Sequence, residues 1–129
     1  VRVAVIGNSG SGKSTLAGQL AAVHSLASLD LDAVAWEPGR VAVPRDPAEA
    51  ARDVAAFCER EARWVVEGCY ASLVEAALRH APILLFMDPG VKACLTNCRE
   101  RPWEPHKYAS KAEQDERLSF LLSWVEEYY

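Results

Sequence analysis

Eight residues near the start of the chain constrain its fold more than any others: Gly7-Asn8-Ser9-Gly10-Ser11-Gly12-Lys13-Ser14. They satisfy the spacing G-x-x-x-x-G-K-[ST] in full. A β-rich apolar stretch, Arg2 to Ile6, precedes them, and Lys13 to Val23 follows as a helix with Leu16, Leu20 and Val23 on one side. Three glycines let the backbone wrap closely, with amides turned inward at a bound phosphate. The helix start at Lys13 adds unpaired N–H groups and the positive end of its dipole. The Lys13 ammonium can bridge the β- and γ-phosphates of a nucleotide, and the Ser14 hydroxyl can ligate Mg²⁺. Gly7 through Thr15 are therefore the expected nucleotide-binding residues. A plain Gly/Ser turn would also join a strand to a helix, but here the full motif and the correct context coincide.

The rest of the chain alternates strand-like and helix-like runs, which points to an α/β fold with a mostly parallel sheet. Ser28 to Leu31 reads as a second strand and Trp36 to Pro44 as loop, since it holds Pro38, Gly39 and Pro44. Asp46-Pro47-Ala48-Glu49 reads as a capped helix start, running to about Arg63 with Ala50, Val54, Phe57 and Cys58 inward. Trp64 to Glu67 is the third strand, ended by Gly68. A short helix follows from Ser72 to about His80. Ile83 to Met87, the longest apolar run, reads as the fourth and most buried strand; it is far too short to span a bilayer. Asp88-Pro89 opens a helix to about Glu100. The segment after it holds Pro102 and Pro105 and cannot be regular helix. Ser110-Lys111-Ala112-Glu113 is a capping box for a last helix, whose Leu118, Leu121, Leu122 and Val125 are expected to dock on the sheet.

The 129 residues suit one domain able to bury its own core. Fourteen basic and eighteen acidic residues give a net charge of −4, which argues against a protein that coats nucleic acid. No basic stretch precedes the apolar N-terminus and no cleavage site follows it, so a signal peptide is not expected. Cys58, Cys69, Cys94 and Cys98 then read as reduced thiols in a cytoplasmic protein.

With these motifs the chain resembles the small P-loop kinases, adenylate kinase, shikimate kinase and their relatives. Within that group it looks most like bacterial adenylate-kinase-like proteins labelled as DNA-topology-modulation proteins. The resemblance implies a three-layer P-loop sandwich with a parallel sheet in the order 2-3-1-4. Relatives add a fifth strand and an adenine-holding loop that this sequence does not show, and the helix still running at Tyr129 suggests a natural protein that continues. The resemblance also implies phosphoryl transfer from Mg·ATP to a small acceptor, a nucleoside monophosphate, a nucleoside or a hydroxylated metabolite. In relatives an Asp after the second strand faces the acceptor or the metal; Asp32 is the first choice here and Asp30 the second. A carboxylate there could take a hydroxyl proton or hold Mg²⁺ through water. Relatives commonly carry Asp-Gly where this chain has Glu67-Gly68; Glu67 is expected to support the metal, and Gly68 and Tyr70 to line the acceptor. Arg45 falls, with Arg40 and Arg52, where nucleotide kinases clamp an acceptor phosphate. Arg101-Pro102 resembles the Arg-Pro pair of a shikimate kinase lid. A lid at about residues 99–112 is thus expected, with Arg99 and Arg101 as catalytic cations, Lys107 as a further one and His106 as a helper.

Two other readings stay open: a nucleotide-dependent regulatory ATPase that binds a macromolecule, and a nucleotide-binding module without catalysis. The expected partners are ATP, ADP and a small acceptor, with neither DNA nor a membrane. Cys69, Cys94, Cys98 and His106 invite a zinc site. Val91, Cys94, Leu95 and Cys98 nevertheless lie at helical spacing and read as a core stripe. His24 and His80, near helix C-termini, read as dipole partners.

Overall fold

The first strand, β1 (Arg2–Gly7), passes through the interior of a four-stranded sheet and delivers the glycine loop to helix α1 (Lys13–His24). The computed structural model describes residues 1–38, 43–100, 104, 108 and 110–127. After α1 come β2 (Ala27–Asp30), the short α2 (Leu31–Ala35), α3 (Pro47–Arg60), β3 (Trp64–Gly68), α4 (Ala71–Leu78), β4 (Ile83–Met87), α5 (Val91–Arg99) and α6 (Lys111–Glu127). The strand order is β2-β3-β1-β4, and each neighbouring pair is parallel. The α/β class, the parallel sense and the order are those expected from the sequence.

Strand β3 lies between β1 and β2 and is buried at every position. Its side chains alternate between two cores, as the period of a strand requires. Val65 joins Val3, Val5 and Leu26 under α1, whose Ala17 and Leu20 cover that face. Trp64 and Val66 point the other way, into a core with Leu31, Val54, Phe57 and Leu73 from α2, α3 and α4. Helices on both faces of a parallel sheet make three layers. Burying a side chain such as Val54 or Phe57 is worth about 1.5–3 kcal/mol, so the α3 layer loses attachment when those positions become polar.

The fourth strand departs from expectation. β4 is an edge strand, and Ile83, Leu84 and Phe86 are 59%, 49% and 53% exposed. Leu85 and Met87 pack against the α1 core. A continuous apolar run is read as buried on both faces, yet only one neighbouring strand and one helical layer reach β4 among the described residues. The most buried strand is β3.

The last helix also departs. Val125, Leu121 and Leu122 of α6 pack on Cys94, Leu95 and Cys98 of α5, so α6 docks on a helix and not on the sheet. Apolar spacing fixes which side of a helix is covered but not what covers it. Ser110 does cap α6, accepting from the Glu113 amide at 3.1 Å. Pro47 is the first residue of α3 as read, but the Asp46 side chain makes no cap bond; its backbone carbonyl accepts from the Ala50 amide at 3.0 Å. α3 stops at Arg60, three residues early, and Arg63 instead donates to the exposed His24 carbonyl that ends α1, at 2.7 Å. α4 starts at Ala71, one residue before Ser72.

Candidate active site

All four strands end on one edge, and the register fixes which residues meet there. Ile6 is level with Gly68, Asp30 with Glu67, and Gly7 with Met87. In open parallel sheets this carboxyl edge is where ligands bind. The loop from Gly7 to Gly12 rises from it and ends at the N-terminus of α1.

The loop is braced from behind. Gly10 has φ +77°, and a Cβ there would collide with the Cys94 carbonyl oxygen and sit 3.0 Å from the Cys98 sulfur. Only glycine lets the loop rest this close on α5. The Asn97 amide donates to the Gly10 carbonyl at 2.7 Å. Asn8 is fully buried; its Nδ2 donates to the Val125 carbonyl of α6 at 2.9 Å and its Oδ1 accepts from the Ser9 amide at 2.8 Å. Inside the loop, the Lys13 ammonium donates to the Asn8 carbonyl at 2.6 Å. Lys13 is buried and Ser14 lies beside it, so the motif's two reactive side chains emerge together at the helix start.

Facing the loop is an acidic wall. The Ser14 hydroxyl donates to Glu67 Oε1 at 2.8 Å. Parallel pairing places Asp30 beside Glu67 on the next strand. Glu67 is 5% exposed. Burial, reinforced by the charge of Asp30, pushes its carboxyl up to about 7, against the opposing bond from Ser14. Asp32 sits at the start of α2, where its amide donates to the Asp30 side chain at 2.9 Å. The Tyr70 hydroxyl and the Trp36 indole N–H, the latter at 3.3 Å, both donate to Asp32 Oδ1. Burial, followed by the bond to Asp32, pushes the Tyr70 phenol well above its ordinary range, so Tyr70 keeps its proton and holds the carboxylate in place. Gly68 lets β3 pass against α2, since a Cβ there would lie 2.7 Å from Leu31 Cβ.

Lys13, Ser14, Asp30, Asp32, Glu67, Gly68 and Tyr70 line one cavity of about 200 Å³. Ser9, Cys69 and Glu104 complete its described wall. Gly10, Gly12, Lys13, Ser14 and Thr15 open on their other side into a cleft of about 450 Å³, with Asn97 and Glu100 opposite. Lys13 and Ser14 thus stand between two spaces, an arrangement suited to a donor on one side and an acceptor on the other.

Arg45 is not brought to this cavity. It pairs with Asp53 at 2.6 Å, donates to the Val34 carbonyl at 3.1 Å, and ties α2 to α3. Arg52 is exposed on α3. Arg99 is exposed at the last position of α5, next to Glu100 of the outer cleft. Arg40, Arg101, His106 and Lys107 lie outside the described residues. Cys94 and Cys98 are in the α5–α6 core as the helical spacing suggested, and Cys69 is exposed at the cavity wall. Sequence reasoning missed Asn97, the bracing role of Asn8, and Glu104. A polar residue inside a helix gives no sign that it reaches a loop eighty-seven positions away.

The residues fit the groups the loop implies. Ser14, Glu67 and Asp30 offer hard oxygen donors, which suit Mg²⁺. No three His, Cys, Asp or Glu side chains converge to hold a metal by themselves among the described residues.

No family model and no curated protein matches this sequence. Solved structures do. A shikimate kinase from Bacteroides thetaiotaomicron aligns over 98% of this chain and 78% of its own, with a TM-score of 0.63 at 17% identity. A shikimate kinase from Acinetobacter baumannii, solved with shikimate, aligns over 96% and 79%, with a TM-score of 0.57 at 18% identity. A gluconokinase from Sinorhizobium meliloti 1021 aligns over 98% and 73%, with a TM-score of 0.58 at 21% identity. Likeness at these identities is a likeness of fold, and with the loop, the strand order and the acidic wall it leads to one statement. This chain has the fold of the P-loop small-molecule kinases.

Proposed function

We propose that the protein transfers the γ-phosphoryl group of Mg·ATP to a hydroxyl of a small acceptor. The observation that carries this reading is the meeting of Lys13, Ser14, Glu67 and Asp32 around one cavity at the carboxyl edge of the sheet. The loop amides and Lys13 hold the donor phosphates. Ser14 and Glu67 would hold the Mg²⁺, which would supply charge neutralisation at the phosphates. Asp32, fixed by Tyr70 and Trp36, accepts the proton of the acceptor hydroxyl. Positioning and charge stabilisation do most of the work in this reaction. Arg99 and Arg101, in or beside the segment after α5, supply further positive charge to the transferring group.

The kinase-fold neighbours support a phosphotransferase. The test is ADP release from Mg·ATP with a panel of hydroxylated acceptors and a blank, with Lys13→Ala as control. Release that rises with an acceptor and vanishes in the control is the expected result. Slow release that no acceptor accelerates overturns the reading in favour of an ATPase switch.

A further inference from the structure

A second cavity, of about 600 Å³, adjoins the active-site wall and is lined largely by aromatic rings. Trp36, Tyr108, Phe120 and Trp124 form its walls, with Glu113 and Arg117 among them. The α6 members, Glu113, Arg117, Phe120, Leu121 and Trp124, share one side of the helix, with Leu121 at the border of the core that Leu122 and Val125 make with α5. Its size lies in the range of small-molecule sites.

Trp36 connects the two spaces. Its ring lines the aromatic cavity, and its indole N–H donates to Asp32 at 3.3 Å, inside the first cavity. Glu104 and Tyr108 make a second connection, because Glu104 lines the first cavity, Tyr108 lines the second, and the Tyr108 amide donates to the Glu104 carbonyl at 3.1 Å. A molecule with its hydroxyl at Asp32 would therefore extend its body along Trp36 toward α6. A polyol needs a surround of hydrogen-bonding groups. Rings with one carboxylate and one guanidinium among them suit a planar heterocycle instead, which stacks on the aromatics and offers N–H and C=O groups to Glu113 and Arg117. Asp30, Asp32, Glu67 and Glu104 in the first cavity favour an acceptor whose reacting end carries no negative charge.

We infer that the acceptor is a nucleoside, or a close analogue with a planar heterocycle and a free hydroxyl, its ring seated between Trp36 and the aromatic side of α6. This rests on the phosphotransferase reading. In the transfer, the bond from the γ-phosphorus to the ADP oxygen breaks, a bond to the acceptor hydroxyl oxygen forms, and Asp32 takes the proton. ADP and the nucleoside monophosphate leave.

Binding is measured first, apart from turnover, so that the two readings can fail separately. The full chain, saturated with Mg²⁺ and a non-hydrolysable ATP analogue, is titrated calorimetrically with four nucleosides and with shikimate and gluconate as polyol acids. The variants are Trp124→Leu and Phe120→Leu, whose side chains are exposed enough (46% and 77%) for truncation to spare the fold, which a thermal melt confirms. Saturable nucleoside binding, weakened about tenfold in either variant, is the expected result. Binding of the polyol acids in place of nucleosides overturns the inference and leaves the kinase reading intact. Nucleoside binding that neither variant disturbs overturns it by placing the ligand elsewhere. Absence of binding by either class overturns it and assigns the aromatic side of α6 to some other contact. Nucleoside binding sensitive to both variants, but without phosphorylated product from ATP, keeps the site and refutes the phosphotransferase.

Discussion

Glu67 makes the stability of the ligand-free protein fall with rising pH. Its carboxyl titrates near 4.5 in an ordinary environment and is pushed up to about 7 in the fold, by burial first and the charge of Asp30 second. The folded protein therefore holds the Glu67 proton more tightly than the unfolded chain does. Below about pH 4.5 both states are protonated and nothing is lost. Between the two values only the unfolded chain ionises, and stability drops by about 1.4 kcal/mol per pH unit. Above pH 7 the loss is complete, at about 3 kcal/mol, a large share of the roughly 5–15 kcal/mol of a typical domain. Urea unfolding between pH 5 and 8, without divalent cation, measures this in the wild type and in Glu67→Gln. The variant lacks the titration, so the difference between the two proteins should change by about 2–3 kcal/mol over that range. Adding Mg²⁺ and a non-hydrolysable ATP analogue at pH 8 should restore the wild type more than the variant, because a cation favours the ionised carboxylate. Parallel profiles for the two proteins would refute the argument, since they would mean that Glu67 is as well solvated folded as unfolded.

Three further outcomes follow from the same geometry. Lys13→Ala should lower turnover at least about a hundredfold, read from ADP release, because it removes the only ammonium of the loop. Asp32→Asn should lower the rate of transfer by about 10²–10⁴ with a smaller change in acceptor KM, whereas Tyr70→Phe, which only loosens Asp32, should cost about tenfold; single-turnover kinetics separate the two. Gly10→Ala should cost about 1–3 kcal/mol from its positive φ alone, with the collision against Cys94 added, and lower Tm by several degrees in a thermal melt.

The phosphate loop was legible because its chemistry is local: strand, glycines, lysine and helix are contiguous, so one window of sequence holds the whole device. Asp32 and Glu67 were named from resemblance; the parallel register places Asp30 beside Glu67, and Asp32 follows two residues on at the start of α2. What was not legible depends on partners far along the chain. Ile83 to Met87 has the composition of an interior strand, but edge position is a property of the sheet and not of the run. Arg45 carries the charge of an acceptor clamp, yet Asp53, one helical turn and more along α3, claims it. Leu121, Leu122 and Val125 announced a buried stripe without naming its partner, which is the cysteine side of α5. The aromatic cavity escaped notice because Trp36 and Trp124 are eighty-eight positions apart, and nothing near either one announces the other.

The bond from Asn8 to the Val125 carbonyl has a consequence for the order in which the molecule is built. A chain made from its N-terminus carries the phosphate loop well before α6, and the buried amide of Asn8 meets its acceptor 117 positions later. Until α6 has docked on α5, that amide has no place in the interior, and leaving it there unpaired costs about 1–3 kcal/mol. Contacts of such separation are costly in chain entropy and close late. The loop thus precedes every described helix and is among the last segments to reach its final shape. Competence to bind a nucleotide becomes a report that α6 has docked on α5.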